Sequence, residues 1–147
     1  MKEVDVRTDI VIRRPRDVVA SYAADPDRAP EWYVNIESAE WRTPGPLRVG
    51  SRIAFKAKFL GRRLAYEYEV VEYVPGEKLT MRTSDGPFPM ETTYEWRGVG
   101  ADATRMTLRN RGRPLRFSKL LSPLLVPAMR RANRKDLETL KRMLENN

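Results

Sequence analysis

Cysteine and histidine are both absent from the 147 residues. The missing histidine removes the imidazole base, and the missing cysteine removes thiol nucleophiles and disulfides. Together they exclude any Cys/His zinc site. A metal would have to rest on carboxylates alone, which suits magnesium or calcium, and nothing in the sequence asks for a metal or a cofactor. Apolar runs are short, far below the roughly 18 residues of a membrane span. The N-terminal segment carries Glu3, Asp5 and Asp9 among alternating apolar residues, unlike a signal peptide. A cytoplasmic location is the expectation. Repeats, low-complexity tracts and long linkers are also lacking, so residues 1–147 are expected to form one domain.

Charge is present in abundance but unevenly. Residues 1–108 hold 17 Lys/Arg and 17 Asp/Glu, whereas residues 109–147 hold 11 and 3, so the net +8 lies entirely in the last quarter. Such a segment is either a solvated helix face or a patch for an acidic partner. Nucleic acid is not expected, because no DNA- or RNA-binding motif and no exposed aromatic strand face accompanies the charge.

Periodicity predicts the elements. Val4, Val6, Thr8, Ile10 and Ile12 alternate with charged residues as a half-buried strand, stopped by Pro15. Asp17 to Ala24 reads as a short helix broken by Asp25-Pro26, and Arg28 to Tyr33 as a second helical turn. Six strands follow, at Ile36–Arg42, Ser51–Leu60, Leu64–Val74, Leu79–Thr83, Met90–Arg97 and Ala103–Asn110, joined by short turns that make them antiparallel neighbours. Phe117, Leu121, Leu125, Met129, Ala132, Leu137, Leu140 and Leu144 then form one helical stripe. Pro123 and Pro127 interrupt its early part, which predicts a separate or kinked helix before a regular stretch from about Pro127 to Glu145. That terminal helix is the element long enough to cover a curved sheet.

Four pieces of sequence, in this order and spacing, resemble the START-like (SRPBCC, helix-grip) superfamily. They are Arg14-Pro15 leading into Asp17-Val18-Val19, the segment Asp25 to Trp32, the segment Tyr68 to Leu79, and the tail Ala132 to Lys141. The chain most resembles the branch of polyketide cyclases/dehydratases and lipid transport proteins. The resemblance implies an α+β fold in which a curved antiparallel seven-stranded sheet wraps around a long C-terminal helix. Two short helices lie between strands 1 and 2, and an apolar cavity is enclosed. The single expected domain is then a START-like ligand-binding domain.

The strand faces carry the candidate site. Tyr66, Tyr68 and Tyr94 share the inward phase with Phe55, Phe59, Met81, Met106 and Trp96. Buried tyrosine hydroxyls need partners, which in a cavity are waters or polar groups of a ligand. Trp32 and Tyr33 end the second helical turn, as a lid packed over the sheet edge or as a gate at the cavity mouth. Asn133 falls inside the helical stripe, bonded to nearby backbone or facing the cavity. The candidate ligand-binding residues are Trp32, Phe55, Phe59, Tyr66, Tyr68, Met81, Thr92, Tyr94, Met106, Met129 and Asn133. No catalytic residue stands out. Glu67, Glu69, Glu91 and Glu95 lie in the outward phase, Glu72 shares the phase of Val70 and Val74 near a strand end, and no arginine is in the inward phase.

The expected function is binding or carriage of an apolar small molecule such as a lipid, polyketide or isoprenoid. The alternative is a polyketide cyclase/dehydratase acting in the same cavity. Arg130, Arg131, Arg134, Lys135, Lys141 and Arg142, with Arg111, Arg113, Arg116 and Lys119 feeding in, are expected on the exposed back of the last helix. They would offer a weak contact to an anionic membrane surface.

Overall fold

Seven strands form one antiparallel sheet in the order β1-β7-β6-β5-β4-β3-β2, curled into a half-barrel around a C-terminal helix. The structure, a computed structural model, describes residues 4–85, 89–113 and 122–146. The elements are β1 (Val4–Ile12), α1 (Arg16–Ala24), a 3-10 turn (Pro26–Arg28), α2 (Ala29–Trp32), β2 (Ile36–Trp41), β3 (Arg52–Phe59), β4 (Arg62–Val74), β5 (Lys78–Asp85), β6 (Met90–Gly98), β7 (Thr104–Gly112) and α3 (Ser122–Glu145). This is the α+β helix-grip architecture that strand parity and the helical stripe predicted. Phe117, Leu121, Arg116 and Lys119 lie outside the described residues.

The concave side has two unlike ends. At one end Ile12, Ile53, Val70, Leu79, Trp96 and Met106 pack with α1 and the second half of α3, and Leu137 and Leu140 are almost wholly buried. Each such aliphatic side chain contributes about 1.5–3 kcal/mol by leaving water. The other end gathers the β3–β4 hairpin, the ends of β5 and β7, and the starts of β1, β6 and α3. There the facing side chains are smaller or set apart, with Ala57 on β3 and Ala132 on α3, and the interior is hollow.

The far end of α3 is stapled to the first strand. Glu145 accepts from the Arg13 backbone N–H at 2.8 Å, from the Arg13 guanidinium at 3.1 Å and from Lys141 Nζ at 2.6 Å. These three donors pull its carboxyl down to about 2. Lys141 also donates to the Val11 carbonyl at 2.8 Å. It is therefore a half-buried strut and no part of the exposed basic face on which the sequence placed it. Arg111 likewise pairs with Glu91 on the convex side of the sheet.

Two elements depart from the sequence expectation. Helix α3 runs unbroken from Ser122 through Pro127, so no separate helix precedes it among the described residues. Pro123 is its second residue, where the missing N–H would have had no partner in any case. On β4 a bulge falls between Val70 and Glu72, which pair with Met81 and Thr80. One extra residue reverses the strand's parity. Tyr73 therefore packs against the core, while Val74 is exposed and Glu72 pairs with Lys78 at 3.0 Å on the outside. The β3–β4 turn also takes Leu60, which the sequence pattern placed at the end of the strand. Leu60 (φ 51°) and Gly61 (φ 75°) are its central pair, the two positive φ values of a tight hairpin.

Gly112 marks the closest approach at the hollow end. It stands opposite Val4 on one side and Met90 on the other, and a Cβ there would meet the Pro89 carbonyl and the Met90 sulfur. Gly112→Ala is expected to lower stability by about 1–3 kcal/mol, the range for overpacking a tight site. Urea unfolding of the two proteins checks this, and an unchanged midpoint would mean that the Pro89 backbone gives way freely.

Candidate functional site

The hollow end encloses about 150 Å³. Strands supply most of its wall: Phe55, Ala57 and Phe59 from β3, Leu64, Tyr66 and Tyr68 from β4, Met81 from β5, Thr92 and Tyr94 from β6, and Asn110 from β7. Helix α3 closes it with Leu125, Met129, Ala132, Asn133 and Asp136, and Tyr33, Asn35 and Ile36 close it from the segment after α2. Strand alternation directs every second side chain inward, which is why one face of each strand supplies the wall.

A line of hydrogen bonds crosses from sheet to helix along this wall. Thr92 Oγ1 donates to Asn110 Oδ1 at 2.6 Å, and Asn110 Nδ2 donates to Asn133 Oδ1 at 3.1 Å. With its one proton committed to Asn110, Thr92 accepts from the Tyr68 hydroxyl 2.8 Å away. Two capacities are left over. The Tyr68 oxygen keeps a lone pair, and Asn133 Nδ2 is buried with no hydrogen-bond partner among the described residues. A second polar group joins the Tyr33 and Tyr94 hydroxyls, which bond to each other.

The charged side chain on the wall is Asp136. It is 2% exposed, accepts the Val34 backbone N–H at 2.9 Å, and forms no ion pair among the described residues. Loss of hydration raises its carboxyl to about 7, and the Val34 bond offsets this only in part. The tyrosines shift in the same sense. Burial pushes Tyr68 up to about 12 and raises Tyr33, Tyr66 and Tyr94 above the ordinary phenol value, so all four stay protonated at neutral pH. The site therefore offers apolar walls, neutral hydroxyls and amides, and one carboxyl poised between its two protonation states.

The family model described as polyketide cyclase / dehydrase and lipid transport matches residues 3–145. The chain belongs to this family. Solved structures of the same fold include the Zhui aromatase/cyclase from Streptomyces sp. R1128, at 14% identity and a TM-score of 0.83 over 98% of this chain and 94% of that one. They also include TTHA0849 from Thermus thermophilus, at 21% identity and a TM-score of 0.80 over 94% of each chain. A third is a START superfamily protein from Mycobacterium smegmatis, at 15% identity and a TM-score of 0.73 over 97% of this chain and 95% of that one. Among curated proteins none matches. Family and fold together point to a hydrophobic-ligand-binding or polyketide-cyclase-like protein. Among the described residues no helix is long and apolar enough to cross a membrane.

Of the candidate residues, Phe55, Phe59, Tyr66, Tyr68, Met81, Thr92, Tyr94, Met129 and Asn133 surround the family cavity. Trp32 and Met106 do not. Trp32 is 1% exposed and stacks behind Tyr33, its ring centroid 4.1 Å away, so it backs the wall rather than gating a mouth. Met106 is fully buried opposite Trp96 at the solid end. Among the wall residues that were not candidates, three carry polar groups into the hydrogen-bonded network or the charge of the site. Asn110 shares the inward phase of Leu108, which the strand pattern already displayed. Tyr33 had been considered only as a lid or gate. Asp136 lies three residues after Asn133 and four before Leu140, so helical spacing alone places it on the buried stripe.

Proposed function

We propose that this family member binds and carries a small apolar molecule bearing an oxygen, of the lipid, polyketide or isoprenoid class, and seats one ring-sized end of it in the cavity. The supporting observation is the wall itself: aromatic and aliphatic surface interrupted by a few neutral polar groups, among them Asn133 Nδ2 without a described partner. A volume of about 150 Å³ matches a single six-membered ring. The rest of a longer ligand would extend toward the open end. A carbonyl oxygen on the ring would satisfy Asn133.

Acetophenone and ethylbenzene have nearly the same shape, and only the first carries that oxygen. Acetophenone is expected to raise the melting temperature more than ethylbenzene, and Asn133→Leu to erase the difference. Tyr68→Phe, which deletes one wall hydroxyl, is expected to fold normally and to weaken an oxygenated ligand by about 1 kcal/mol. Native mass spectrometry of protein from its own host would reveal a co-purified apolar molecule. If no single-ring probe shifts the melting temperature and nothing co-purifies, the carrier reading fails.

Asp136 favours one further reading, a cyclase/dehydratase. A carboxyl near 7 inside an apolar cavity can take a proton from carbon or return one to oxygen at neutral pH. Against this, no lysine or arginine stands on the described wall to polarise a polyketone. Turnover of a poly-β-ketone analogue, lost in Asp136→Asn, would decide for the enzyme.

A further inference from the structure

We propose that the hollow end of the fold docks on an anionic lipid bilayer through the β3–β4 hairpin tip, the Val34 loop and residues 124–135 of α3. These three segments adjoin. Phe59, at the end of β3, packs with Leu125, Val126 and Met129 of α3, and the Lys58 N–H donates to the Asn35 carbonyl at 2.8 Å. Val34 in turn donates to Asp136 of α3. Each segment presents one aliphatic side chain to solvent: Leu60 at 38%, Val34 at 51% and Leu124 at 57% exposure.

Cations cluster in sequence beside two of these tips, Leu60 and Leu124, whereas Val34 stands between Glu31, paired with Arg28, and Glu37. Residues 56–64 contain four Lys/Arg and residues 124–135 another four, with no Asp or Glu in either stretch. Lys56, Lys58 and Arg63 of the hairpin, and Arg131, Arg134 and Lys135 of α3, enter no ion pair among the described residues. Lys58 even stands directly opposite Arg63 in the strand ladder, an arrangement that repels. The convex face of the sheet behaves differently. There Arg105 meets Asp9, Arg109 clasps Asp5 through two bonds and Arg111 meets Glu91.

Leu60 adds a separate argument. It occupies a positive-φ position of the tight turn, where asparagine or glycine is at ease and leucine is strained. A strained leucine that keeps more than a third of its surface in water gains little packing to offset the strain. Inserted among acyl chains, it contributes binding. Aliphatic tips beside clustered cations are the combination that holds a protein at a membrane interface, through apolar insertion added to attraction for anionic headgroups. An acidic protein would use the cations but not three separated aliphatic tips. The docking surface is independent of which molecule fills the cavity.

Co-sedimentation with phosphatidylcholine vesicles, with and without phosphatidylserine, tests this. Binding is expected to the anionic vesicles and to fall as salt rises. Neutralising two cations in Lys58→Gln/Arg63→Gln is expected to weaken it roughly 25-fold, about fivefold per cation or 1 kcal/mol each. Leu60→Gly relieves the backbone strain. It is expected to keep or raise the melting temperature while weakening vesicle binding severalfold, an outcome that misfolding cannot mimic. Equal, poor binding to both vesicle types at low salt overturns the proposal. So does anionic binding that ignores Leu60→Gly and is matched by soluble polyglutamate, which would assign the cations to an acidic protein.

Discussion

Asp136→Asn is expected to make the protein more stable at pH 8 and to change little at pH 4. The buried carboxyl has its folded value near 7 against about 3.8 when unfolded. Between those values the folded chain holds a proton that the unfolded chain has released, so stability falls as pH rises through this window and levels off above about 7. The full span corresponds to something on the order of 4 kcal/mol, at about 1.36 kcal/mol per unit. Asparagine keeps an oxygen for the Val34 N–H and cannot ionise. The groups facing the carboxyl, the Tyr33 and Tyr94 hydroxyls, remain neutral throughout the range. Denaturant unfolding of both proteins at several pH values between 4 and 8 should give curves that converge at the acid end. A constant difference would show that Asp136 does not titrate in this window. If the stabilised variant also loses ligand binding or turnover, the carboxylate is being retained for function at the expense of stability.

The same truncation at the two ends of α3 should have different costs. Leu140 is fully buried in the solid end, and Leu140→Ala is expected to cost about 3–5 kcal/mol, because the neighbours Leu137 and Leu144 cannot close the space. Leu125 is also buried, but it already borders the cavity. Leu125→Ala enlarges an existing void and is expected to cost closer to 2 kcal/mol, the low end of the range. It should also admit a bulkier ring, read as a larger thermal shift with a naphthalene-sized probe. Equal destabilisation at both positions would contradict the division into a packed end and a hollow one.

Most of the architecture was legible because strand alternation and helical spacing are direct consequences of which side faces the core. From β1 to β7 the inward residues follow period two, and Tyr66, Tyr68 and Tyr94 reach the wall as alternation requires. The pattern failed where geometry departs from the period without a sequence signal. Nothing in Val70-Val71-Glu72 announces a bulge, since the extra residue is accommodated by the pairing with β5. Of the two outcomes expected at Pro127, the separate helix is the one that does not occur, because α3 continues through it. Asp136 was overlooked because a carboxylate on an apolar stripe is read as the stripe's edge. Helical spacing places it on the stripe; what spacing does not contain is that the Val34 N–H, rather than a cation, meets the carboxyl there. Trp32 and Met106 have the right phase or composition for a wall, and only the closeness of Tyr33 and Trp96 shows them to be behind it.

The division of the interior also bears on how such a chain can diverge. Fully buried side chains such as Ile53, Val70, Leu79, Leu137 and Leu140 fill the solid end, whereas Ala57, Ala132 and Tyr66 border empty space. Substitutions in the second group meet little resistance from neighbours, so new pocket shapes can be sampled with small losses of stability. A chain built on this plan can change the shape of its hollow end while its scaffold hardly changes.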